Sequence, residues 1–259
     1  MQLIKNKNLK NITDNIRKNI ILLSYKSRSA HLGSCLSCVE ILTSCFLYEN
    51  INKKKVDIIL SKGHAAMAYY SALFEFNMIN KNYMKNYLQN NSKLWAHISK
   101  MKHKNFKFSF GSLGYGPGIA AGMALGYQLK KKNNPIICII SDGELNEGSI
   151  WESLSFISHH NLKNIIIIID KNNIQSFGKT KDIIFYPNLK KTFDSFEFFT
   201  KEVNGHNIKA IYNLIKKNTK KPKVIICNTV KGKGVKDIEN KLSSHYIPAT
   251  FQQTKIYEK

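Results

Sequence analysis

Two polar segments carry residue types that could hold a metal ion on a phosphate. Asp142 and Gly143 come directly after the apolar run 135–140, and Asn172 comes shortly after the apolar run 165–169. Two such runs predict neighbouring parallel strands whose carboxyl ends share the sheet edge at which α/β proteins bind ligands. A carboxylate, an amide oxygen and a nearby main-chain carbonyl form a hard oxygen donor set, which suits a small divalent ion on a diphosphate. Gly143 would let a phosphate approach the backbone N–H groups.

Four histidines are further candidates because they lie in loops near predicted strand or helix ends. They are His31, His64, His97 and His245. A single loop histidine is weak evidence of function, but His64 follows a predicted strand directly and so lies at the same sheet edge. The Gly-rich segment 111–116 precedes a predicted helix and could also present N–H groups to a phosphate. Glu144 and Glu147 begin another predicted helix, where the helix dipole favours a carboxylate by less than about 1 kcal/mol.

The elements that must position these residues follow from the period of the apolar residues. Helices are predicted over about 9–26, 36–47, 83–88, 116–132, 148–160, 189–199 and 207–218. Strands are predicted over 56–60, 135–140, 164–170 and 222–228, with a loop over 175–187 and an aperiodic tail from Lys231 that covers the surface. This alternation predicts an α/β fold, a doubly wound and mainly parallel sheet with helices on both faces, in a single domain over residues 1–259.

Composition limits the class of protein. With 259 residues, 43% of them apolar and 11% aromatic, the chain can bury a large core. No apolar run reaches the roughly 18 residues that cross a bilayer, and the first residues lack the apolar core of a signal peptide. The five cysteines, an odd number, fit reduced and buried thiols. We therefore expect a cytoplasmic protein without membrane contacts.

The net charge of +23 suggests nucleic-acid binding. However, only Arg17 and Arg28 of the 40 basic residues are arginine, the side chain best suited to reading bases and phosphates. The lysines are spread along the chain among many Asn and Ile residues, which is typical of an AT-rich genome. We therefore expect no specific nucleic-acid partner.

Two other site interpretations are weaker. Cys35-x-x-Cys38 with nearby His31 and Cys45 could outline a zinc site, but Cys38, Cys45 and the apolar residues between them have the helical spacing of a buried face. The glycines of 116–122 open a predicted helix about twenty residues before Asp142, as in a dinucleotide-binding unit. Their spacing is irregular, and Asp142 begins a longer acidic motif instead of ending a strand beside a ribose.

Taken together, six segments resemble the N-terminal, diphosphate-binding third of transketolase and occur in that family's order over almost the whole sequence. They are Ser29-Ala30-His31-Leu32-Gly33-Ser34, Ser61-Lys62-Gly63-His64-Ala65-Ala66, Gly111-Ser112-Leu113-Gly114, Asp142-Gly143-Glu144-Leu145-Asn146-Glu147-Gly148, Asp170-Lys171-Asn172 and Thr229-Val230-Lys231-Gly232-Lys233-Gly234. The most specific feature is the spacing from the Asp-Gly pair to Asn172, which is similar to the general thiamine diphosphate motif.

The resemblance implies a role for each matching residue. Mg²⁺, or alternatively Ca²⁺ or Mn²⁺, would be held on the diphosphate by Asp142, Asn172 and the carbonyl of Ile174. Thiamine diphosphate would contact Ser34, His64, Ser112, Leu113, Gly114, Asp142, Gly143, Asn172, Lys231 and His245. The implied catalytic residues are His31, His64, His97, His245 and Glu147. The histidines would surround the reacting end of the sugar, and Glu147 would lie at the dimer contact.

The resemblance also implies a reaction. In that family the carbanion of the cofactor attacks a ketose carbonyl, while imidazoles stabilise charge on the oxygen and take up the donor hydroxyl proton. The implied activity is that of transketolase (EC 2.2.1.1) in the pentose phosphate pathway. It would transfer a two-carbon ketol group from xylulose 5-phosphate to ribose 5-phosphate or erythrose 4-phosphate.

The family's pyrimidine-binding and C-terminal domains have no counterpart in this sequence. We therefore expect the N-terminal subunit of a split transketolase, active with a C-terminal partner subunit in an α2β2 assembly. Two alternatives stay open. One is a 1-deoxyxylulose-5-phosphate synthase-like enzyme part, which His31-Leu32-Gly33-Ser34 also resembles, and the other is a non-catalytic scaffold that binds a partner.

The sequence also departs from the family pattern. The replacements are Ala30 for Gly, Leu32 for Pro, Ala96 for Gly, Ile98 for Pro, Tyr115 for Gln, Ser141 for Gly, Asn173 for Gly and Tyr246 for Gly. Asn173 is expected to be tolerated, because Asn can adopt a positive φ. The others bear more on the geometry of the substrate than on cofactor binding, and Ala or Ser in place of Gly matters only where φ is positive or space is short.

Overall fold

The computed structural model describes residues 9–52, 55–101, 103 and 105–257. In this part of the chain, one sheet has five parallel strands, β1 (Asp57–Leu60), β2 (Ile136–Ser141), β3 (Ile165–Lys171), β6 (Phe199–Asn204) and β7 (Lys223–Asn228). Their order across the sheet is β1-β2-β3-β7-β6. A small antiparallel hairpin is separate and consists of β4 (Ile174–Gln175) and β5 (Gly178–Lys179). The predicted parallel α/β fold is confirmed.

The helices lie between and around these strands. They are α1 (Leu9–Ser27), α2 (Leu32–Ser37), α3 (Val39–Asn52), α4 (Ala66–Glu75), α5 (Lys81–Lys85), α6 (Tyr115–Leu129), α7 (Gly148–His159), α8 (Thr180–Ile183), α9 (Leu189–Ser195), α10 (Ile208–Lys216) and α11 (Phe251–Thr254). The residues at 1–8, on which the expected lack of a signal peptide depends, lie outside the described residues, as do 258 and 259.

The centre of the sheet explains why helices cover both of its faces. Every residue of β2 is buried, and β3 is buried up to Asp170. Successive side chains of a strand point to opposite faces, so apolar runs without alternation require a helix layer on each side. Helix α6 packs on β1, β2 and β3, and α10 packs on β6 and β7.

The strand register brings the predicted site segments to one edge of the sheet. Ser141 pairs with Asp170 at the carboxyl ends of β2 and β3. The loops after β1, β2, β3 and β7, four neighbouring strands, therefore open on the same edge. The predicted shared edge for the Asp142 and Asn172 segments is confirmed.

Gly116 shows what the glycines of 116–122 do. A Cβ on Gly116 would lie 2.4 Å from Cβ of Ser61 and 3.1 Å from Sγ of Cys138, so only glycine lets α6 approach the ends of β1 and β2. A Cβ on Gly122 would meet nothing within 4 Å. The first glycine serves close helix–sheet packing, and the dinucleotide interpretation has no support from this helix.

Three element predictions were wrong. The helix predicted over 189–199 ends at Ser195, and Phe199 begins β6, an edge strand whose mixed polar sequence has no apolar alternation. The loop predicted over 175–187 contains part of the β4–β5 hairpin and α8. The tail from Lys231 does not merely cover the surface, because Lys231, Val235 and Ser244 are buried.

The described residues bear on three compositional predictions, those about the cysteines, a zinc site and membrane spans. All five cysteines are buried and free, and burial raises the pKa of Cys35 to about 11. Within the described ranges, no group of three or more His, Cys, Asp or Glu side chains could hold a metal ion, so the zinc interpretation has no support. In the same ranges, none of the helices has the length and apolar character needed to span a bilayer.

Candidate active site

A cavity of about 420 Å³ opens at the carboxyl edge of the sheet. Its wall contains most of the residues predicted from the sequence, namely His31, Ser34, His64, His97, Leu113, Asp142, Gly143, Glu147, Asn172, Ile174, Lys231 and His245. Ser112 and Gly114 belong to the predicted cofactor contacts but do not line it. Eight separate parts of the chain therefore meet at one cavity.

The four predicted histidines form one cluster with His31 at its centre. The ring of His31 lies 4.8 Å from that of His245, 5.3 Å from that of His64 and 6.1 Å from that of His97, measured between centroids. His31 has a φ of +66°, a left-handed conformation that is uncommon for a residue with a side chain. Its N–H donates to the carbonyl of His245 at 2.8 Å, which holds the segments on either side of the cavity together.

The environment makes these imidazoles neutral near pH 7. Burial, His97 and two nearby ammonium groups lower the pKa of His31 to about 4. Burial, followed by the Lys231 ammonium, lowers the pKa of His245 to about 3. Burial also lowers the pKa of His64 and of His97. A neutral imidazole has one N–H donor and one nitrogen acceptor, so the cluster can both donate to an oxygen and accept a proton.

Asp142 and Asn172 have side-chain oxygens that are fixed by neighbouring donors. The Asp142 carboxylate accepts from the N–H of Asn173 at 2.8 Å, from the hydroxyl of Thr180 at 3.0 Å and from the N–H of Gly143 at 3.1 Å. The amide oxygen of Asn172 accepts from the Ile174 N–H at 3.1 Å. Both side chains are buried in the cavity wall, so their positions are set before any ligand arrives.

Within the part of the chain that the structure describes, the Asp142 carboxylate forms no ion pair. Among the described residues, no Lys or Arg lies within ion-pair distance of this carboxylate, which is only 3% exposed. Burial, with the nearby Asp170 carboxylate, raises the pKa of Asp142 to about 6. A buried carboxylate in this state fits a position that a cation would occupy.

Lys231 supplies the positive charge inside the cavity. Its ammonium donates to the Ile174 carbonyl at 2.8 Å and lies 3.2 Å from Nδ1 of His245. The side chain is 1% exposed, and burial, followed by Lys62, lowers its pKa to about 8. Ile174 is therefore the least available of the three predicted metal ligands, because its carbonyl already accepts from a cation.

A buried ion pair that the sequence did not identify lies behind Asn172. The Lys62 ammonium is 2.5 Å from the Asp170 carboxylate, and both side chains are inaccessible to solvent. Burial opposes the charge on Asp170, but Lys62 and the hydroxyls of Ser37 and Thr229 hold its pKa below the ordinary value. The same carboxylate accepts from the amide nitrogen of Asn172 at 3.4 Å, which leaves the amide oxygen of Asn172 for the cavity side.

Glu144 is a second residue whose role the sequence did not reveal. Its carboxylate is fully buried and accepts from the Ser61 hydroxyl at 2.5 Å, the Ser141 N–H at 2.8 Å and the Gly114 N–H at 3.1 Å. It therefore joins the ends of β1 and β2 to the Gly-rich loop, whereas the sequence suggested only a helix-dipole contact. Since the Gly114 N–H is used in this way, it is not free for a phosphate.

Glu147 and the departures from the family pattern occupy identifiable places. Glu147 is exposed at the rim of the cavity and precedes α7. Asn173 has a φ of +63°, the left-handed conformation for which Asn was expected to substitute for Gly. Ala30 and Ser141 are not among the residues with positive φ, and the two side chains therefore cause no left-handed strain.

Comparison with known families gives one match over nearly the whole chain. The family described as the transketolase, thiamine diphosphate binding domain matches residues 10–257. Among curated proteins, a subunit of the apulose-4-phosphate transketolase of Actinobacillus succinogenes is 35% identical over 241 residues, with 89% of this chain and 87% of that protein covered. The 6-deoxy-6-sulfo-D-fructose transketolase subunit SqwG of a Clostridium species is 32% identical over 237 residues, with 87% and 86% covered.

Solved structures give the same fold. Transketolase from Campylobacter jejuni superposes with a TM-score of 0.79 at 25% identity, over 94% of this chain and 41% of that one. Transketolase from Leishmania mexicana gives a TM-score of 0.81 at 20% identity, over 97% of this chain and 41% of that one. The match thus spans most of the Actinobacillus and Clostridium subunits but less than half of these two transketolase chains.

Proposed function

The chain belongs to the transketolase family through its thiamine diphosphate-binding domain, and from that premise we propose that it is the cofactor-anchoring subunit of a split transketolase. The observation that carries the proposal is the single cavity in which a carboxylate and an amide oxygen lie beside four neutral histidines and one lysine. The proposed reaction is transfer of a two-carbon ketol group from a ketose phosphate to an aldose phosphate.

The donor set fits a divalent cation on a diphosphate. Asp142 and Asn172 would ligate Mg²⁺, because both present hard oxygens and the Asp142 carboxylate lacks a counterion within the described residues. The carbonyl of Ile174 would join them once Lys231 releases or shares it. Lys231, Ser34 and the cavity-lining His64, Leu113 and Gly143 would surround the diphosphate and the adjoining ring. Ser112 and Gly114 stay predictions of cofactor contact, although neither lines the cavity.

The histidines would handle protons and oxygen charge at the reacting end of the sugar. When bound, thiamine diphosphate supplies the nucleophilic carbon that adds to the ketose carbonyl. His31, His64, His97 and His245 are close enough to surround one small polar group. Their N–H groups would donate to the oxygen that gains negative charge, and an unprotonated nitrogen would accept the donor hydroxyl proton.

The partner subunit would supply what the proposed cofactor still needs. We infer that residues 1–259 form one diphosphate-binding domain, and that a C-terminal subunit carries the pyrimidine-binding domain in an α2β2 assembly. Relatives that are themselves named as transketolase subunits support a partner. Exposed Glu147 and the exposed aromatic side chain of Phe177 line the cavity, where such a partner could close the site. The reduced cysteines favour the cytoplasm as the compartment.

The substrates are proposed only as a class. Xylulose 5-phosphate with ribose 5-phosphate or erythrose 4-phosphate is the expected set. The relatives are named for apulose 4-phosphate and for 6-deoxy-6-sulfo-D-fructose, so these sugars belong in the same test. All are sugar derivatives with an anionic group, and the proposed histidine cluster would act on the end of the sugar that reacts.

The decisive experiment is co-purification with a subunit that carries a pyrimidine-binding domain, followed by a ketol-transfer assay with thiamine diphosphate and Mg²⁺. The expected result is turnover of at least one of the donors named above, and its loss in an assembly that carries Asp142→Ala. A stable assembly that binds the cofactor yet turns over none of these sugars would contradict the enzyme proposal and favour the scaffold.

A further inference from the structure

Three side chains that the proposed mechanism does not use hold the segment that carries Lys231. They are Arg17 in α1, Glu40 in α3 and His206 in the turn before α10. None of the three lines the cavity. Arg17 and Glu40 are nearly inaccessible to solvent, at 5% and 6% exposure, which is unusual for charged residues and calls for an explanation.

The three side chains form a continuous hydrogen-bonded chain. The Arg17 guanidinium donates to one oxygen of Glu40 at 2.6 Å. The other oxygen of Glu40 lies 2.9 Å from Nδ1 of His206. Burial alone would raise the pKa of Glu40, but the contacts with His206 and Arg17 hold it below its ordinary value, so the carboxylate is ionised.

The two ends of this hydrogen-bonded series of side chains, His206 and Arg17, hold the backbone around Lys231. The N–H of Val230 donates to Nε2 of His206 at 2.9 Å, so Nε2 carries no proton and the neutral ring must donate from Nδ1 to Glu40. At the other end, Nε of Arg17 donates to the carbonyl of Lys233 at 3.0 Å. Lys231 lies between these two anchored backbone groups, with its ammonium in the cavity.

We propose that Arg17, Glu40 and His206 form a positioning clamp that sets where the Lys231 ammonium meets an anionic diphosphate. This inference rests on the proposed function, in which Lys231 contacts the diphosphate. None of the three clamp residues is catalytic, since each acts through the backbone of 230–233. Loss of one clamp contact would let that segment shift, and the ammonium would then meet the anion less well.

Two conservative variants separate the two hydrogen bonds of His206. In His206→Gln the amide oxygen can take the place of Nε2 and accept from the Val230 N–H, while the Glu40 contact is lost. In His206→Asn the shorter amide can take the place of Nδ1 and donate to Glu40, while the Val230 N–H loses its acceptor. A general loss of stability would weaken diphosphate binding in both variants. A clamp on the backbone instead requires the Gln variant to bind diphosphate more tightly than the Asn variant.

The test measures binding of inorganic diphosphate with Mg²⁺ to the full chain by calorimetry, with melting temperatures recorded beside it. We expect His206→Gln to stay within about threefold of the wild-type affinity, and His206→Asn and His206→Ala to lose about tenfold, the size of one hydrogen bond to a well-placed group. In a Lys231→Met background, His206→Ala should cause no further loss, because its effect is transmitted through Lys231.

The outcomes separate the clamp from the function on which it rests. Equal affinities of the Gln and Asn variants, or a loss by His206→Ala that simply adds to that of Lys231→Met, would overturn the clamp. A wild-type chain that does not bind the diphosphate at all would instead overturn the proposed cofactor site, and the clamp with it. If His206→Ala does not fold, the comparison of diphosphate affinity between His206→Gln and His206→Asn still tests the clamp.

Discussion

At the scale of single residues, the cavity is notable for the charges that it lacks. Its four histidines are held neutral by burial and by nearby ammonium groups, and Asp142 has no counterion within the described residues. A bound divalent cation would supply the missing counterion and favour the ionised carboxylate of Asp142. The protonation state of Asp142 is therefore expected to respond to the proposed ligand, whereas the proposed proton transfer uses the histidines in their neutral form.

Metal affinity is expected to depend on pH through Asp142. Its pKa is raised to about 6, and only the ionised carboxylate ligates Mg²⁺. Affinity measured by calorimetry with diphosphate present should fall roughly tenfold per pH unit below that pKa and level off above it. The same raised pKa makes Asp142 contribute stability to the metal-free chain at low pH, and this contribution is lost as the pH rises through about 6.

Asp142→Asn is the matched control for this pH dependence. It keeps the shape of the side chain without the titrating group, so its affinity should be low at every pH. A wild-type affinity that does not change between pH 5 and 8 would argue against Asp142 as the ligand.

His31 is expected to affect turnover and not cofactor binding. His31→Ala should lower kcat in the assembled enzyme by about 10²- to 10⁴-fold, the usual contribution of an acid–base group. The dissociation constant of thiamine diphosphate should change by less than about threefold, because neighbouring residues supply the diphosphate contacts. His159→Ala, at the end of α7 and outside the cavity, serves as the control. Equal loss of affinity and turnover in His31→Ala would assign it to cofactor binding instead.

At the scale of secondary structure, the site depends on how closely helices approach the carboxyl edge of the sheet. Helix α6 begins within the Gly-rich segment 111–116, and the Glu144 carboxylate joins that segment to the ends of β1 and β2. The fit leaves no room for a side chain on Gly116. The packing of α6 against the sheet therefore also fixes the position of the cavity wall.

Two glycine-to-alanine changes in α6 should have opposite effects. Gly116→Ala places a methyl group 2.4 Å from Cβ of Ser61 and should lower the free energy of unfolding by about 1–3 kcal/mol. Gly122→Ala meets nothing within 4 Å and should raise it by up to about 1 kcal/mol, since alanine favours a helix. Urea unfolding of the two variants measures both values. Similar changes in the free energy of unfolding of both variants would mean that helix propensity, and not close packing, determines the effect of a side chain at position 116.

The elements also show how far the sequence could lead. The buried runs of β2 and β3 are apolar throughout, so their position and the shared edge at Asp142 were predictable. Strand β6 was missed because an edge strand with the sequence FTKEVN has no apolar period. Lys62, Asp170 and Glu144 could not be placed, because their roles depend on partners far away in the chain. The family resemblance identified the segments, but not the hydrogen bonds among them.

At the scale of the whole molecule, the net charge of +23 is the strongest alternative signal. The lysines are spread over the chain, and those that the site uses, Lys62 and Lys231, are buried. The remaining positive surface can attract polyanions without selecting among them. The net charge therefore affects the solubility of the protein and how often it meets polyanions, whereas the proposed function depends on the cavity.

Nucleic-acid binding is expected to be non-specific. Affinity for duplex DNA should be the same for unrelated sequences and should fall steeply between about 50 and 200 mM salt, as counterion release requires. Fluorescence anisotropy with two duplexes of different sequence would measure both properties. A clear preference for one duplex sequence at the higher salt concentration would instead support nucleic acid as a functional partner.

The hydrogen bond from His31 to His245 has a consequence for folding. It joins two segments that are far apart in the sequence. Closing such a long loop loses much conformational entropy, and contacts that form early in folding are mostly local and do not compensate for it. The cavity should consequently be among the last features to form and the first to open. A ligand that binds only after this closure would stabilise the folded chain increasingly as its concentration rises, so a rise in melting temperature would report that the histidine cluster has been assembled.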